Sequence, residues 1–308
     1  MRPRHTALAV LVAAVWGVNF VVIEVGLDHF PPLLFSALRF LLAAIPAVFL
    51  VRRPAVAWRW IVGVGLALGV AKFGLLFLGM EAGMPAGGSS LVLQVQAVFT
   101  AALAAVLLGE RPGRVRLVGM VVAMAGIGVA AWDEGVSGSA VGFALVVGAA
   151  AFWAVSNVLT RRAEVDDALA FMVWVSLVPV LPLVALSLLV DGVDANRDAL
   201  TGLDWAGVGA VAYVAAGATL FGFAAWSFLL RRYDASRVAP FSLLVPVFGM
   251  SSAALLLGEG ISAARWVAGV LLVGGVALTS LGPARRGPTL AVAGSPGLGA
   301  QEEGSKAR

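Results

Sequence analysis

Cysteine is absent from this 308-residue chain, and histidine and lysine occur twice each. Without thiols there are no disulfides, no thiolate chemistry, no iron–sulfur clusters and no Cys zinc sites. His5 and His29 both flank apolar runs, so a His-based metal site or catalytic triad is not expected. Neither Lys72 nor Lys306 sits in a GxxxxGK[ST] loop, which excludes direct ATP drive by this chain. The reading calls for no metal and no organic cofactor. Charge is scarce as well: 12% of residues are charged and 61% are hydrophobic. Soluble domains average about 25% and about 45–50%. Mean hydropathy is +0.98. These values exclude an ordinary soluble domain, a disordered chain and a nucleic-acid-binding domain, and they indicate a polytopic membrane protein. The net charge of +4 does not signal nucleic acid, because the arginines sit in short clusters between apolar runs.

What is there instead is a series of ten apolar segments, at about 6–27, 32–51, 58–80, 84–109, 115–132, 139–160, 168–190, 205–230, 235–258 and 264–282. Each approaches the roughly 20 residues that a helix needs to cross a hydrocarbon core. The first is longer than a signal-peptide core and reads as the first span. The links between segments are short, so neighbours are expected to be antiparallel hairpins with no extramembrane domain. Strands are not competitive, because a barrel needs alternation over about 10 residues.

Arginine placement orients the series. With the N-terminus inside, 17 of the 21 basic residues fall on the cytoplasmic side, in clusters such as Arg52–Arg53, Arg161–Arg162 and Arg231–Arg232. Outside segments carry Arg197 and Arg265, and are otherwise acidic: Asp28, Glu81, Asp133, Glu134, Asp191, Asp194 and Asp198. The positive-inside rule therefore predicts ten spans in the inner membrane, with both termini cytoplasmic. Membrane lipid is the surrounding partner.

The chain also repeats. LLGE occurs at 107–110 and again at 256–259, inside similar apolar contexts. Each half opens on a Trp-containing helix, Trp16-Gly-Val-Asn19 and Trp153-Ala-Val-Ser-Asn157. The predicted halves are 1–137 and 138–282, with five spans each. Five is odd, so the halves have opposite topology. Inverted repeats are a mark of secondary transporters, with a cargo site near the midplane and alternating access. The tail 283–308 is rich in Gly, Pro, Ala and Ser, and is expected to be disordered and cytoplasmic.

Charges inside spans are the first site candidates. Arg39 lies within PLLFSALRFLLAAIPAVFLV. A central Arg costs about 2.5–3.5 kcal/mol, which about a dozen Leu, Ile, Val and Phe at roughly −0.3 to −0.6 kcal/mol each outweigh. The segment inserts, and the Arg should face a cavity or a partner. Counting at about 1.5 Å per residue places Arg39 and Lys72 at similar depths, roughly 10 Å below the outer surface. Glu24 lies near the outer end of the first span, and all three are expected in the outer half of one bundle. A cation there suits a cargo carboxylate, and a carboxylate suits an ammonium or a coupled proton. A structural salt bridge, or snorkelling to the surface, is the alternative.

Asn19 and Phe20 share a helix face with Trp16, and Asn157 with Trp153. An amide beside an indole can line a polar pathway or simply join two helices. Gln94 and Gln96 are about 200° apart on a regular helix, so both face a cavity only if the helix is locally distorted. Trp226 is a further pathway candidate, whereas Trp58, Trp60, Trp132, Trp205 and Trp266 lie at span ends as interfacial residues. Gly65 and Gly69 form a GxxxG, which marks close helix contact. Pro46, Pro179 and Pro182 are candidate kinks in the second and seventh spans.

Ten spans, a five-plus-five inverted repeat and the LLGE hairpins resemble the EamA family of the drug/metabolite transporter superfamily. WGVNFVVIEVGL (16–27), PPLLFSALRF (31–40), GMPAGGSSLVLQVQAVFT (83–100) and RVAPFSLLVPVFGMSSAALLLGE (237–259) look like the bacterial O-acetylserine/cysteine exporter branch. The resemblance implies an inner-membrane exporter of a small-molecule metabolite such as cysteine or O-acetylserine, driven by protons or by the cargo gradient. Many relatives carry Pro where Ala97 stands, so the fourth span is expected to be straighter than in those relatives. Three other readings remain at this stage. One is an exporter of drugs or other amphipathic compounds. The second is a polytopic enzyme, against which no catalytic pair is visible in the spans. The third is a channel or scaffold, against which no selectivity ring is visible.

Overall fold

The computed structural model describes residues 1–109, 112–137, 139–233 and 235–281, and among them every regular element is helical. The 283–308 tail, and Glu110 of the first LLGE, lie outside the described residues. Eleven helices make up most of the described fold. They are α1 Pro3–Leu27, α2 Pro32–Val48, α3 Trp58–Glu81, α4 Ala86–Leu107, α5 Arg114–Ser137 and α6 Ala140–Arg162, then α7 Ala168–Val190, α8 Gly192–Thr201, α9 Trp205–Arg232, α10 Leu244–Leu256 and α11 Ala263–Leu281. Seven of them (α1, α3, α4, α5, α6, α7 and α9) are long and apolar enough to cross a membrane. The helices in the second, ninth and tenth predicted segments are apolar but shorter. α2 spans about 25 Å at 1.5 Å per residue, just under the hydrocarbon thickness.

Two details differ from the sequence reading. The 191–204 link is not a plain loop, because α8 forms there. Ser187 donates to Asp191 Oδ2 at 2.8 Å and to Asn196 Oδ1 at 2.8 Å, tying α8 back to the end of α7. The fourth span is also not a continuous α-helix, although it lacks a proline at 97. Leu93–Val95 is a 3-10 turn, so the distortion arises without proline. In the second half, the 3-10 turn Ala239–Leu243 carries Pro240 and leads into α10. α7 breaks between Leu177 and Val180, at Pro179.

The halves interlock element by element. α5 packs along α11, α2 along both parts of α7, α1 along α10, and α6 along α3 and α4. These are the second helices together, the fifth helices together, and each first helix against helices of the other half. Small residues allow the approaches. A Cβ on Gly65 would meet Val178, and one on Gly69 would meet Pro179, so the GxxxG of α3 seats the broken helix α7. Gly119 and Gly275 are similarly closed off by backbone where α5 crosses α11.

The interface also carries polar ties. Glu259, of the second LLGE, accepts from Ala86 N at 2.8 Å and Gly87 N at 3.1 Å. It thus supplies the acceptors that the first N–H groups of α4 lack. Asp133 on α5 pairs with Arg265 Nε at 3.5 Å and accepts from Ser262 Oγ at 2.9 Å. Phe35, Phe77 and Ile23 are fully buried in the main core. Trp58, Trp132, Trp205 and Trp266 are exposed at helix ends, as interfacial residues should be.

Candidate functional site

A regular α-helix in lipid satisfies all of its own backbone groups, so departures from it mark places where something else meets them. α3 is π-helical over Gly65–Lys72, and α9 is π-helical over Tyr213–Phe221. Both stretches lie in the third predicted span of their half, and both feed one cavity of about 360 Å³. The wider π turn leaves a carbonyl in α9 free to take a side chain. Trp16 Nε1 of α1 donates to Ala218 O at 2.9 Å. The Thr219 hydroxyl donates to Val214 O at 2.8 Å.

Nine of the ten residues singled out from the sequence line this cavity: Trp16, Asn19, Arg39, Lys72, Gln94, Gln96, Trp153, Asn157 and Trp226. They come from α1, α2, α3, α4, α6 and α9, so the cavity lies between the halves. Glu24, the tenth, is not among the residues that line it. It lies one turn past Phe20, with Oε2 buried and without a hydrogen-bond partner.

Both glutamines reach the cavity because of the 3-10 turn. At about 100° per residue they would be about 160° apart by the shorter way round. A 3-10 turn at about 120° per residue closes this to about 120°. Gln94 Nε2 donates to Ser242 O of the second half at 3.2 Å. Gln96 Oε1 accepts from Asn157 Nδ2 at 2.9 Å and from Thr100 Oγ1 at 3.3 Å. The amides therefore do two things at once: they face the cavity, and they join α4 to helices of the other half.

The two cations meet on one ring. Arg39 Cζ lies 3.9 Å from the Phe73 centroid, and Lys72 Nζ lies 3.2 Å from it and 4.8 Å from that of Trp153. Arg39 is 3% exposed and Lys72 is 4% exposed. Arg39 Nε donates to Thr219 Oγ1 at 3.1 Å, but its NH1 is buried without a partner. Among the described residues neither cation has a carboxylate partner, and no Asp or Glu lines the cavity. Aromatic faces attract a cation by about 2 kcal/mol or more when desolvated. They do not replace the hydrogen bonds that a buried guanidinium loses. Asn19, 7% exposed, leaves Oδ1 buried and unpartnered on the same cavity. The residues of the site thus include one unmet donor, on Arg39, and one unmet acceptor, on Asn19, in a wall whose aromatic residues include Phe223 and Trp226. No group of three metal-ligating side chains occurs among the described residues.

Sequence reasoning passed over Phe73, Thr219 and Ser242. A phenylalanine beside a lysine and a lone hydroxyl in an apolar run carry no periodic signal. Only the packing shows that one ring serves both cations and that one hydroxyl holds the guanidinium.

The model of the EamA-like transporter family matches residues 5–132 and 140–281. A "Probable amino-acid metabolite efflux pump" of Salmonella typhimurium is 42% identical, covering 89% of this chain and 94% of that protein. A protein of the same description from Escherichia coli is 40% identical, covering 92% of this chain and 96% of that one. A "Probable terminal-alkyne amino-acid exporter" of Streptantibioticus cattleyicolor is 28% identical, over 87% and 91% of the two chains. A crystal structure 20% identical in sequence superposes with a TM-score of 0.60 over 91% of this chain and 98% of that one, and shares the fold.

Proposed function

The chain belongs to the EamA-like transporter family, and we propose that it exports a small amino-acid metabolite, such as cysteine or O-acetylserine, across the bacterial inner membrane by alternating access. The chain is a multi-pass membrane protein, and metabolite efflux is what its 40–42% identical relatives are named for. The observation that carries the reading is the cavity between the halves, where polar and charged side chains converge among aromatic and aliphatic ones. That composition suits a small solute with a charged head and a modest side chain.

In this reading ten spans form a five-plus-five inverted repeat, 1–137 and 138–282. The matched π stretches in α3 and α9, and the reciprocal packing of the halves, support it. The arginine distribution supports cytoplasmic termini. The halves rock about the cavity, exposing it to one side and then the other. Protons are the coupling ion of this reading, with Glu24 as the carboxylate available to carry one outside the cavity itself.

The test is extracellular cysteine and O-acetylserine from cells overexpressing the chain, against vector and against Arg39→Ala at matched membrane abundance. Accumulation with the intact chain and not with the variant supports the reading. Accumulation of amphipathic drugs but not of either metabolite would replace the cargo class. No accumulation of any kind, with the protein correctly inserted, would contradict export.

A further inference from the structure

Buried polar atoms without partners are rare in folded proteins, and each calls for an explanation. This cavity has two of opposite kind on different helices. Arg39 NH1, a donor on α2, has no acceptor, and Asn19 Oδ1, an acceptor on α1, has no donor. Both residues are more than nine-tenths buried, and both line the cavity. Beside Arg39, the Lys72 ammonium lies over the Phe73 and Trp153 rings. A solute that satisfies all of these groups presents an anionic acceptor to the cations and a donor to the amide oxygen.

We propose that the cavity reads the α-amino-acid head group itself, with the cargo carboxylate on Arg39 and Lys72 and the cargo ammonium on Asn19 Oδ1. The inference rests on the amino-acid export reading and deepens it, by dividing one cavity into two subsites. A carboxylate accepts two hydrogen bonds from a guanidinium, and Arg39 has the unmet NH1 to give. An ammonium needs acceptors, and with no Asp or Glu in the lining it must use neutral ones, of which Asn19 Oδ1 is already desolvated and waiting. A neutral acceptor also avoids the fixed attraction a carboxylate would exert on Arg39 and Lys72, which would close the site on itself. The side chain of the cargo then lies against the indoles, where identity matters less than bulk. Specificity on this account is strict for the head group and loose for the rest.

The experiment compares O-acetyl-L-serine with its isomer N-acetyl-L-serine, which keeps the carboxylate and lacks the ammonium, and with O-acetyl-L-serine methyl ester, which keeps only the ammonium. Binding to the purified full chain in lipid nanodiscs is read by tryptophan fluorescence, for wild type, Asn19→Ala and Asn19→Asp. We expect the isomer and the ester each to bind at least about tenfold more weakly than O-acetylserine, the effect of losing a hydrogen bond to a charged group. Asn19→Ala should weaken O-acetylserine to the level of the isomer and leave the isomer unchanged. Asn19→Asp, whose carboxylate would pair with Arg39 and Lys72, should weaken O-acetylserine and the isomer alike. Equal binding of the isomer and the parent by wild type, or equal losses for both in Asn19→Ala, would overturn the head-group assignment while leaving export intact. Failure of wild type to bind any of the three, together with no export of O-acetylserine, would overturn the cargo reading and the subsites with it.

Discussion

The Asn157 amide donates to Gln96 Oε1 across 2.9 Å, joining the first helix of the second half to the fourth helix of the first half at the wall of the cavity. Thr100 Oγ1 donates to the same oxygen and accepts from the same amide, at 3.3 and 3.2 Å. The tie closes a three-membered network between α4 and α6. The proposed rocking of the halves would have to strain or exchange it, so the cavity wall and the proposed moving interface share these residues.

That network should be measurable as a coupling. In a double-mutant cycle of Asn157→Ala and Gln96→Ala, the interaction is expected to be about 1 kcal/mol, within the range of interhelical hydrogen bonds in membranes. Thermal unfolding of the four purified chains in one detergent gives the number. Simple additivity of the two losses would contradict the pairing.

Lys72→Met should separate stability from function. The buried ammonium lies over two aromatic rings and shares one of them with the Arg39 guanidinium, so replacing it by a thioether of similar length removes a buried charge beside another of the same sign. The empty protein should gain roughly 1–3 kcal/mol, by analogy with apolar replacement of buried ionic groups. Export should fall to the vector level at equal abundance. A less stable Lys72→Met would mean that Lys72 serves the fold rather than the cargo.

Glu259→Ala should cost about 1–2 kcal/mol, the usual loss when a helix N-terminus loses its side-chain acceptor. Both Ala86 N and Gly87 N are left without their carboxylate. Glu259→Gln keeps an acceptor and loses the charge that favours a helix N-terminus, so it should fall between the two. The order of the three unfolding midpoints checks this, and a Glu259→Ala midpoint equal to the parent would show that the cap is dispensable.

Gly69→Val should prevent folding, because its side chain enters the space of the Pro179 ring where α3 meets α7. Gly128→Ala is the contrast, since a Cβ there meets open space and alanine favours helix by about 1 kcal/mol. Folded yield from membranes, read by size-exclusion of a fluorescent fusion, should collapse for the first and hold for the second. Equal yields would put the close approach in doubt.

The all-helical fold was legible in the sequence because lipid forces apolar runs of fixed length, and the cavity residues were legible because polar groups in such runs need a reason. Arg39, Lys72, Asn19 and Asn157 stood out on that ground alone. Glu24 met the same criterion and lies elsewhere, because depth counting fixes height in the bilayer but not rotation about the helix. The π stretches, and the 3-10 turn that brings Gln94 and Gln96 to one cavity, were not legible. The π stretch of α3 lies where that helix packs against α7, the 3-10 turn lies where α4 packs against the second half, and no residue type announces either. Helix α8 was missed because it is short and polar on average, although amphipathic, and its side-chain ties to Ser187 form only on packing.

The absence of cysteine supplies a direct test of the central claim that the cavity between the halves is the cargo path. Ser242→Cys places a single thiol on the cavity, and Val121→Cys places one on an exposed apolar face of α5. In membranes treated with a water-soluble thiosulfonate reagent, the cavity thiol should react and the lipid-facing one should not. Added O-acetylserine should slow the Ser242→Cys reaction in a saturable way. A reaction at Ser242→Cys that proceeds at the same rate with and without O-acetylserine would contradict the claim.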